Sequence, residues 1–595
     1  MDARQGKPVV AGDLPGYGGR REQRHEGLFI FDGVRWNDNP PAMSHTRYEA
    51  ILRLSVRHLI RSSASIVLLL GARRASAQST TTLLPDATVL PSRAIRVRIL
   101  SGWTRADELF GTGSTRNLAS PLATDSLGVQ QIPLLAPIET QIRAASGLSS
   151  FRLTAGQLVA IGNSRAVTAP LILEYGVTRR LTVGVVVPLV ETRTTLYGQL
   201  NPKLGLANIG PNPAFGTNGT SVLSKNNELV TSLRLASDTL QARVTTCQTT
   251  PTNPICSTIA GQQSAIETLR QNTATIATAI ETLYGTNAAH PGLPLIPIAK
   301  NASQDAINAQ ISALQTAYQI FLTKSVVSGS VTPAAGPMAN AQLQSLLTGL
   351  GHDTLQSVDR ASIGDVSIGA TYQLVNSFGD TSAAAAGRMH YRIAANGTLR
   401  VGTGQPGNRN RFFDFGTGYG QHGVEGGLAA DVQLNRRLNA SAIGSYTLQL
   451  GTVDVGRVPN AQSVAYPLGI GWPGTFSAGD VMALTIIPRL RLSGYFGLNG
   501  QYSIVRTGAD RYTLASSDAA PAGAQAPTTP EGASAATAQR IGIGFSYSTV
   551  LGPDANPGRI PFEVSFSHLE TIAASGGPIA KTFREQVELR VYFVR

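Results

Sequence analysis

The sequence predicts an all-β transmembrane antiparallel β-barrel of about 12 strands, within a range of roughly 10 to 14, carrying an α-helical extracellular insertion. Three observations predict it. Apolar and polar residues alternate with period two in segments bounded by Gly- and Pro-rich turns. A secretion pattern precedes these segments. The longest unbroken apolar run, Ile66 to Ala72, is far below the roughly 18 residues that a spanning helix needs. Backbone polar groups in lipid must all be paired, so a chain that crosses with strands must close its sheet.

The last segment, Phe583 to Arg595, shows the pattern most clearly. Val587, Leu589, Val591 and Phe593 alternate with Glu588, Arg590 and Tyr592. One face suits lipid and the other suits a lumen.

From the N-terminus, residues 1–42 read as a non-native upstream extension, with Met43 as the true first residue. Residues 43–77 read as a signal peptide. Arg47, Arg53, Arg57 and Arg61 supply the basic region, Ser65 to Leu70 the apolar core, and Ala75-Ser76-Ala77 a small-residue cleavage site before Gln78. Residues 78–149 contain Ile95 to Trp103, which looks like a strand, and Gln130 to Ala145, which suits an amphipathic helix or a loop. This N-terminal segment either adds strands to the barrel or folds into the lumen as a hatch.

Residues 150–221 form the first part of the barrel, with strands predicted over Phe151–Ile161, Ala166–Tyr175 and Arg180–Thr192. Leu181, Val183, Val185, Val187 and Leu189 share one face of the third. Residues 351–595 form the second part, in which nine strands are counted back from the C-terminus. An even total places both chain ends on one side. Long Gly/Pro/Asn-rich connections, at residues 405–419, 451–478 and 507–537, then gather on the outer side. Short ones, at 435–437 and 488–491, gather on the periplasmic side.

Between the two blocks, residues 222–350 change to helical spacing. Leu229, Leu233, Leu240 and Val244 mark one helix; Ile259, Ile266, Leu269, Ile276, Ile280 and Leu283 mark a second. Ile307, Ile311, Leu314, Tyr318 and Phe321 mark a third, and Met338 to Leu350 a short fourth. This insertion is either a bundle packed on itself or an external cap or partner-binding arm, and alternation puts it on the extracellular side over the barrel mouth. Cys247 and Cys256 flank a Pro-bearing loop between the first two helices. In an oxidising compartment they are expected to form a disulfide, stabilising that loop by about 2–3 kcal/mol.

Composition narrows the function. The chain has 595 residues, 14% of them charged, with 62 Gly and a formal charge of +13. Its pI is about 9.9 and its mean hydropathy +0.01. The basic excess does not argue for a nucleic-acid partner: twelve of the 49 basic residues precede Gln78, and the rest form no stripe interleaved with aromatics. No G-x-S-x-G, H-E-x-x-H or paired-His spacing occurs, and no metal-ligand set accompanies the cysteines. His568 is a lone strand-end histidine. Gly416-Thr-Gly418-Tyr-Gly420 lacks the Lys of a phosphate loop. The expectation is therefore no enzyme, no metal and no cofactor.

Glu174-Tyr-Gly-Val-Thr-Arg-Arg-Leu-Thr-Val-Gly-Val-Val-Val-Pro188, Gly364-Asp-Val-Ser-Ile-Gly-Ala-Thr-Tyr372 and Leu399-Arg-Val-Gly-Thr-Gly404 resemble segments of outer-membrane proteins associated with meta-pathway phenol degradation. The resemblance covers residues 150–194 and 363–595. It implies a transporter-like barrel, in the style of long-chain fatty-acid transporters, that passes hydrophobic or aromatic compounds. The helical insertion departs from it. So does the ending Val594-Arg595, where such barrels commonly end in an aromatic residue, and Phe593 is left to serve the barrel-assembly machinery.

The expectation that follows is a porin-like channel or transporter of the Gram-negative outer membrane, passing small hydrophobic or aromatic solutes. Glu425, Asp431, Glu563 and Glu588 are the candidate lumen-lining residues, or else satisfied polar groups filling a plugged interior. The alternative is a surface structural or adhesive protein that acts through the helical insertion, with the barrel as its anchor.

Overall fold

The computed structural model describes residues 86–593, apart from 112, 203–204, 379–388, 409, 459–470, 523, 525, 527–533, 551–559 and 578. The upstream extension, the signal peptide, Val594 and Arg595 lie outside the described residues.

Twelve strands form a closed wall. They are β1 (Ile95–Phe110), β2 (Leu158–Gly176), β3 (Leu181–Leu200), β4 (Val366–Asn376), β5 (His390–Val401) and β6 (His422–Gln433), then β7 (Leu438–Leu450), β8 (Val481–Arg491), β9 (Phe496–Thr507), β10 (Ala536–Ser548), β11 (Phe562–Gly576) and β12 (Ala580–Phe593). Each pairs antiparallel with the next, and β12 returns to β1 in a register running from Ile95↔Phe593 to Leu109↔Ala580. Closure leaves no unpaired edge, which is what a sheet in lipid requires. No helix among the described residues is long and apolar enough to cross a membrane.

The period-two pattern sets the two faces. Ile99, Leu173, Ile368, Leu428, Leu484, Ile543 and Phe545 stand exposed on the outer face. Arg96, Arg98, Glu174, Asp431, Ser441, Ser503 and Glu588 are buried on the inner one. Tyr175, Tyr372, Tyr391 and Phe496, all exposed, ring one end of the wall, where an aromatic girdle meets a membrane interface.

That end carries four-residue turns at 177–180, 434–437 and 492–495, the last of them in place of the turn expected at 488–491, and also the longer connections 377–389 and 549–561. The opposite end carries residues 111–157, 201–365, 402–421, 451–480 and 508–535, and the short turn 577–579. The two ends are called here the hairpin end and the loop end. At the loop end Asp365 accepts from the amides of Gly404 (2.9 Å), Tyr419 (2.8 Å) and Gly420 (3.3 Å), so the glycine-rich stretch 416–420 folds around a carboxylate.

The strand membership differs from expectation in one place. Phe151–Ile161 is not a strand separate from Ala166–Tyr175; β2 begins at Leu158 and runs unbroken to Gly176. Asn163-Ser164-Arg165 looks like a break in the sequence, but this part of β2 pairs with β3, and Asn163 accepts a 2.6 Å hydrogen bond from Thr195. The remaining wall strand comes from β1. Beside β3, the short strand Val358–Ile363 continues the place of β4 towards the loop end.

Among the described residues, five α-helices stand at the loop end: α1 (Ala136–Ser146), α2 (Gly219–Thr249), α3 (Gln263–Tyr284), α4 (Ala302–Leu322) and α5 (Asn340–Gly349). Leu229, Leu233, Leu240, Ile266, Ile280, Ile311 and Tyr318 are buried in one apolar core. The same core takes in Leu109, Leu158, Leu196 and Leu200 from the loop ends of β1 to β3, and Phe412 and Phe413 from the β5–β6 connection. The helices are therefore fused to the rim and are not a free arm. Cys247 and Cys256 are joined by a disulfide with Cα atoms 5.5 Å apart, closing the turn between α2 and α3.

Candidate functional site

Inward-facing residues of β1 start the site. Alternation along Ile95-Arg96-Val97-Arg98-Ile99 turns both arginines into the lumen, each 3% exposed. Arg96 makes a two-pronged pair with Glu174 of β2, at 2.5 and 2.9 Å. Arg98 donates to Glu588 of β12 at 2.6 Å. β1 is thus braced from inside to both of its neighbours. Glu588 also receives Arg590 at 2.9 Å through both carboxylate oxygens, and Arg590 approaches Glu563 at 3.6 Å.

The segment 86–94, before β1, lies against the inner wall. The Ala87 amide donates to Asp431 at 3.2 Å, and its carbonyl accepts from Gln373 at 3.3 Å. The Leu90 amide donates to Thr182 at 2.8 Å. Asp86 faces Arg489 and Arg590, each at 4.0 Å. Burial pushes the Asp86 carboxyl up, but Arg489, Arg590, Arg392 and Arg96 outweigh burial and hold it well below the usual carboxylate range. Gly176 lets this segment approach: a Cβ there would stand 2.0 Å from the Pro91 carbonyl oxygen.

Asp86, Leu90, Arg96, Arg98, Glu588 and Arg590 border a cavity of about 780 Å³ in the hairpin-end half of the barrel. Its wall mixes charge with apolar surface: Arg96, Arg98, Arg540, Arg584 and Arg590 line it together with Leu100, Ile443, Ile487, Val505 and Leu569. Leu100 packs with Ile172 and Val186 in a small apolar patch on the inner wall of β1 to β3.

The four acids singled out from the sequence fall in different places. Glu563 and Glu588 line the cavity. Asp431 is 3% exposed and held by Arg392 (2.7 Å), Ser441 (2.6 Å) and the Ala87 amide. Glu425 lies nearer the loop end, where it accepts from Thr447 at 3.0 Å. His568 stands on β11 with Glu585 as its cross-strand partner. Sequence reasoning missed the cations. Arg96, Arg98, Arg540 and Arg584 were legible as polar-face residues of alternating segments, but nothing in the alternation tells which arginine meets which acid.

No known protein-family model matches the chain, and no curated protein sequence matches it. Solved structures do align with it. The COG4313 outer membrane channel from Pseudomonas putida F1 aligns at 9% identity and a TM-score of 0.36, covering 86% of this chain and 98% of that one. A TodX monoaromatic hydrocarbon channel mutant aligns at 12% and 0.26, covering 86% and 94%. The translocator domain of the autotransporter NalP from Neisseria meningitidis aligns at 7% and 0.25, covering 92% and 98%. At these values none of them lends this chain a function.

Proposed function

We propose that the protein is an outer-membrane channel that passes small hydrophobic or aromatic solutes. The observation that carries this reading is the closed wall with an apolar outer face around a cavity of about 780 Å³ lined by both arginines and aliphatic side chains. An anchor needs the outer face alone. A lumen that served only as packing would be filled, as barrels of small strand number are filled by side chains.

On this reading Glu563 and Glu588 belong to the solute-facing wall, while Asp431 fastens the segment 86–94 as a lumenal plug. Glu425 shapes the passage nearer the loop end. Outer-membrane lipid is the partner of the exposed belt, and Phe593 at the end of β12 is the residue offered to the assembly machinery. A link to phenol degradation rests on the sequence resemblance of three short segments alone. The test is uptake of toluene by cells with an intact lipopolysaccharide leaflet. Cells making the protein take it up faster than cells with an empty vector; equal rates refute the channel.

The surface-protein reading has one observation of its own: Leu235 on α2 and Ile320 on α4 are 62% and 63% exposed. Leu235→Glu with Ile320→Glu would abolish an adhesive activity and leave toluene uptake unchanged if the channel reading holds.

A further inference from the structure

Most of the lumenal arginines have an acid. Arg96 has Glu174, Arg98 has Glu588, Arg392 has Asp431, Arg489 has Asp86, and Arg590 has Glu563 and Glu588. Arg540 and Arg584 are different. Both line the cavity, and neither makes an ion pair among the described residues. Arg584 donates through one terminal nitrogen to Gln586 at 2.6 Å, while its Nε and that of Arg540 are buried without a hydrogen-bond partner.

The wall brings the two together. Arg540 on β10 is opposite Thr571 of β11, and Arg584 on β12 is opposite Leu569 of the same strand. They flank one strand on its inner side, opposite positions two residues apart along it. Apolar side chains adjoin them in the cavity: Leu569 beside Arg584, and Val505, two residues beyond Ser503, the partner of Arg540 on β9. Two half-buried like charges on one stretch of wall, without a counter-charge, favour an anion that completes them, and a guanidinium fork fits a planar carboxylate.

We infer that Arg540 and Arg584 form a binding site for a small organic carboxylate with an apolar or aromatic body. The head is held by the two guanidiniums, and the body lies on Leu569 and Val505. This deepens the channel reading and rests on it: the passage carries a site for the anionic members of its solute class.

The test is calorimetric titration of benzoate, with benzamide as its uncharged counterpart, into the folded full chain in detergent. Benzoate binds, and Arg540→Gln or Arg584→Gln weakens it at least about tenfold, the scale of a lost charge-assisted hydrogen bond. Benzamide binds weakly to all forms. The thermal midpoint of each Gln variant equals or exceeds that of the parent, because one of two unpaired neighbouring charges has been removed; a bracing role would lower it. Should a Gln variant not fold, the Arg540→Lys/Arg584→Lys pair keeps the charge and loses the fork, and benzoate affinity falls while that of benzamide does not. Benzoate affinity unchanged by the substitutions overturns the site. So does displacement of benzoate by an equal concentration of chloride, which would make it a site for inorganic anions only. Toluene uptake is read separately: its absence sinks the channel, whereas its presence without arginine-dependent benzoate binding sinks only this inference.

Discussion

Glu588 takes Arg98 on one side and Arg590 on the other, so Glu588→Gln removes the charge that the buried Arg98 and the half-buried Arg590 share. The expected cost is about 3 kcal/mol in the urea unfolding of the refolded barrel, the scale of breaking a buried pair. Glu563, whose side chain is 24% exposed and 3.6 Å from Arg590, is a milder case, and Glu563→Gln should cost about 1 kcal/mol or less. Asp86 gives a pH dependence. Its carboxyl is depressed when docked, so its contribution is complete above the unfolded value near 4 and is lost only as pH falls through the much lower docked value. Hydrogen exchange of residues 86–94 should therefore stay protected from pH 7 down to about pH 4; release in the ordinary carboxylate range would show that Asp86 is not held by Arg489 and Arg590. At this scale the sequence told which residues face inward and no more. Arg98 and Glu588 are 490 positions apart, and only the closure of the ring makes them partners.

Among the elements, the segment before β1 depends on one glycine. Gly176→Ala puts a methyl group 2.0 Å from the Pro91 carbonyl, and the segment 86–94 must leave the wall. Raised protease sensitivity before Ile95 with an intact heat-modifiable barrel is the expected result; unchanged protection would contradict the docking. The disulfide belongs to the helices: Cys247→Ser with Cys256→Ser should lower the stability of the α2–α3 unit by about 2–3 kcal/mol and leave the wall unchanged by circular dichroism. Much at this scale was legible. The nine strands after residue 363 carry period-two alternation, broken by inward aliphatics such as Ile443, Ile487 and Leu569, and the helical core residues recur at helical spacing. Two features escaped. Residues 162–165 fall between two predicted strands, since polar residues on both faces of a strand are unusual, yet they continue the strand and Asn163 has Thr195 to satisfy it. Segment 86–94 has no periodicity at all, since irregular backbone held by lumenal side chains follows no face.

For the molecule as a whole, a total of twelve strands was correct while one of its members was not, because evenness constrains the number and not the identity of the strands. The sorting of connections by length was legible only in part: direction must alternate, and the long connections named from the sequence do gather at one end, but the short turn 577–579 lies there too and 377–389 and 549–561 lie at the other. What could not be read was the fusion of helices to the rim, which joins Leu109, Leu200, Phe412 and the helical core across 300 positions of chain. The central claim is that the ring encloses a passage narrowed by the segment 86–94. Single-channel recording in a planar bilayer tests it most directly, comparing the refolded chain with a form lacking residues 78–94. The predicted result is small discrete steps from the first and larger ones from the second. Silence from both, in protein that is folded and heat-modifiable, would contradict the account and leave the barrel as an anchor.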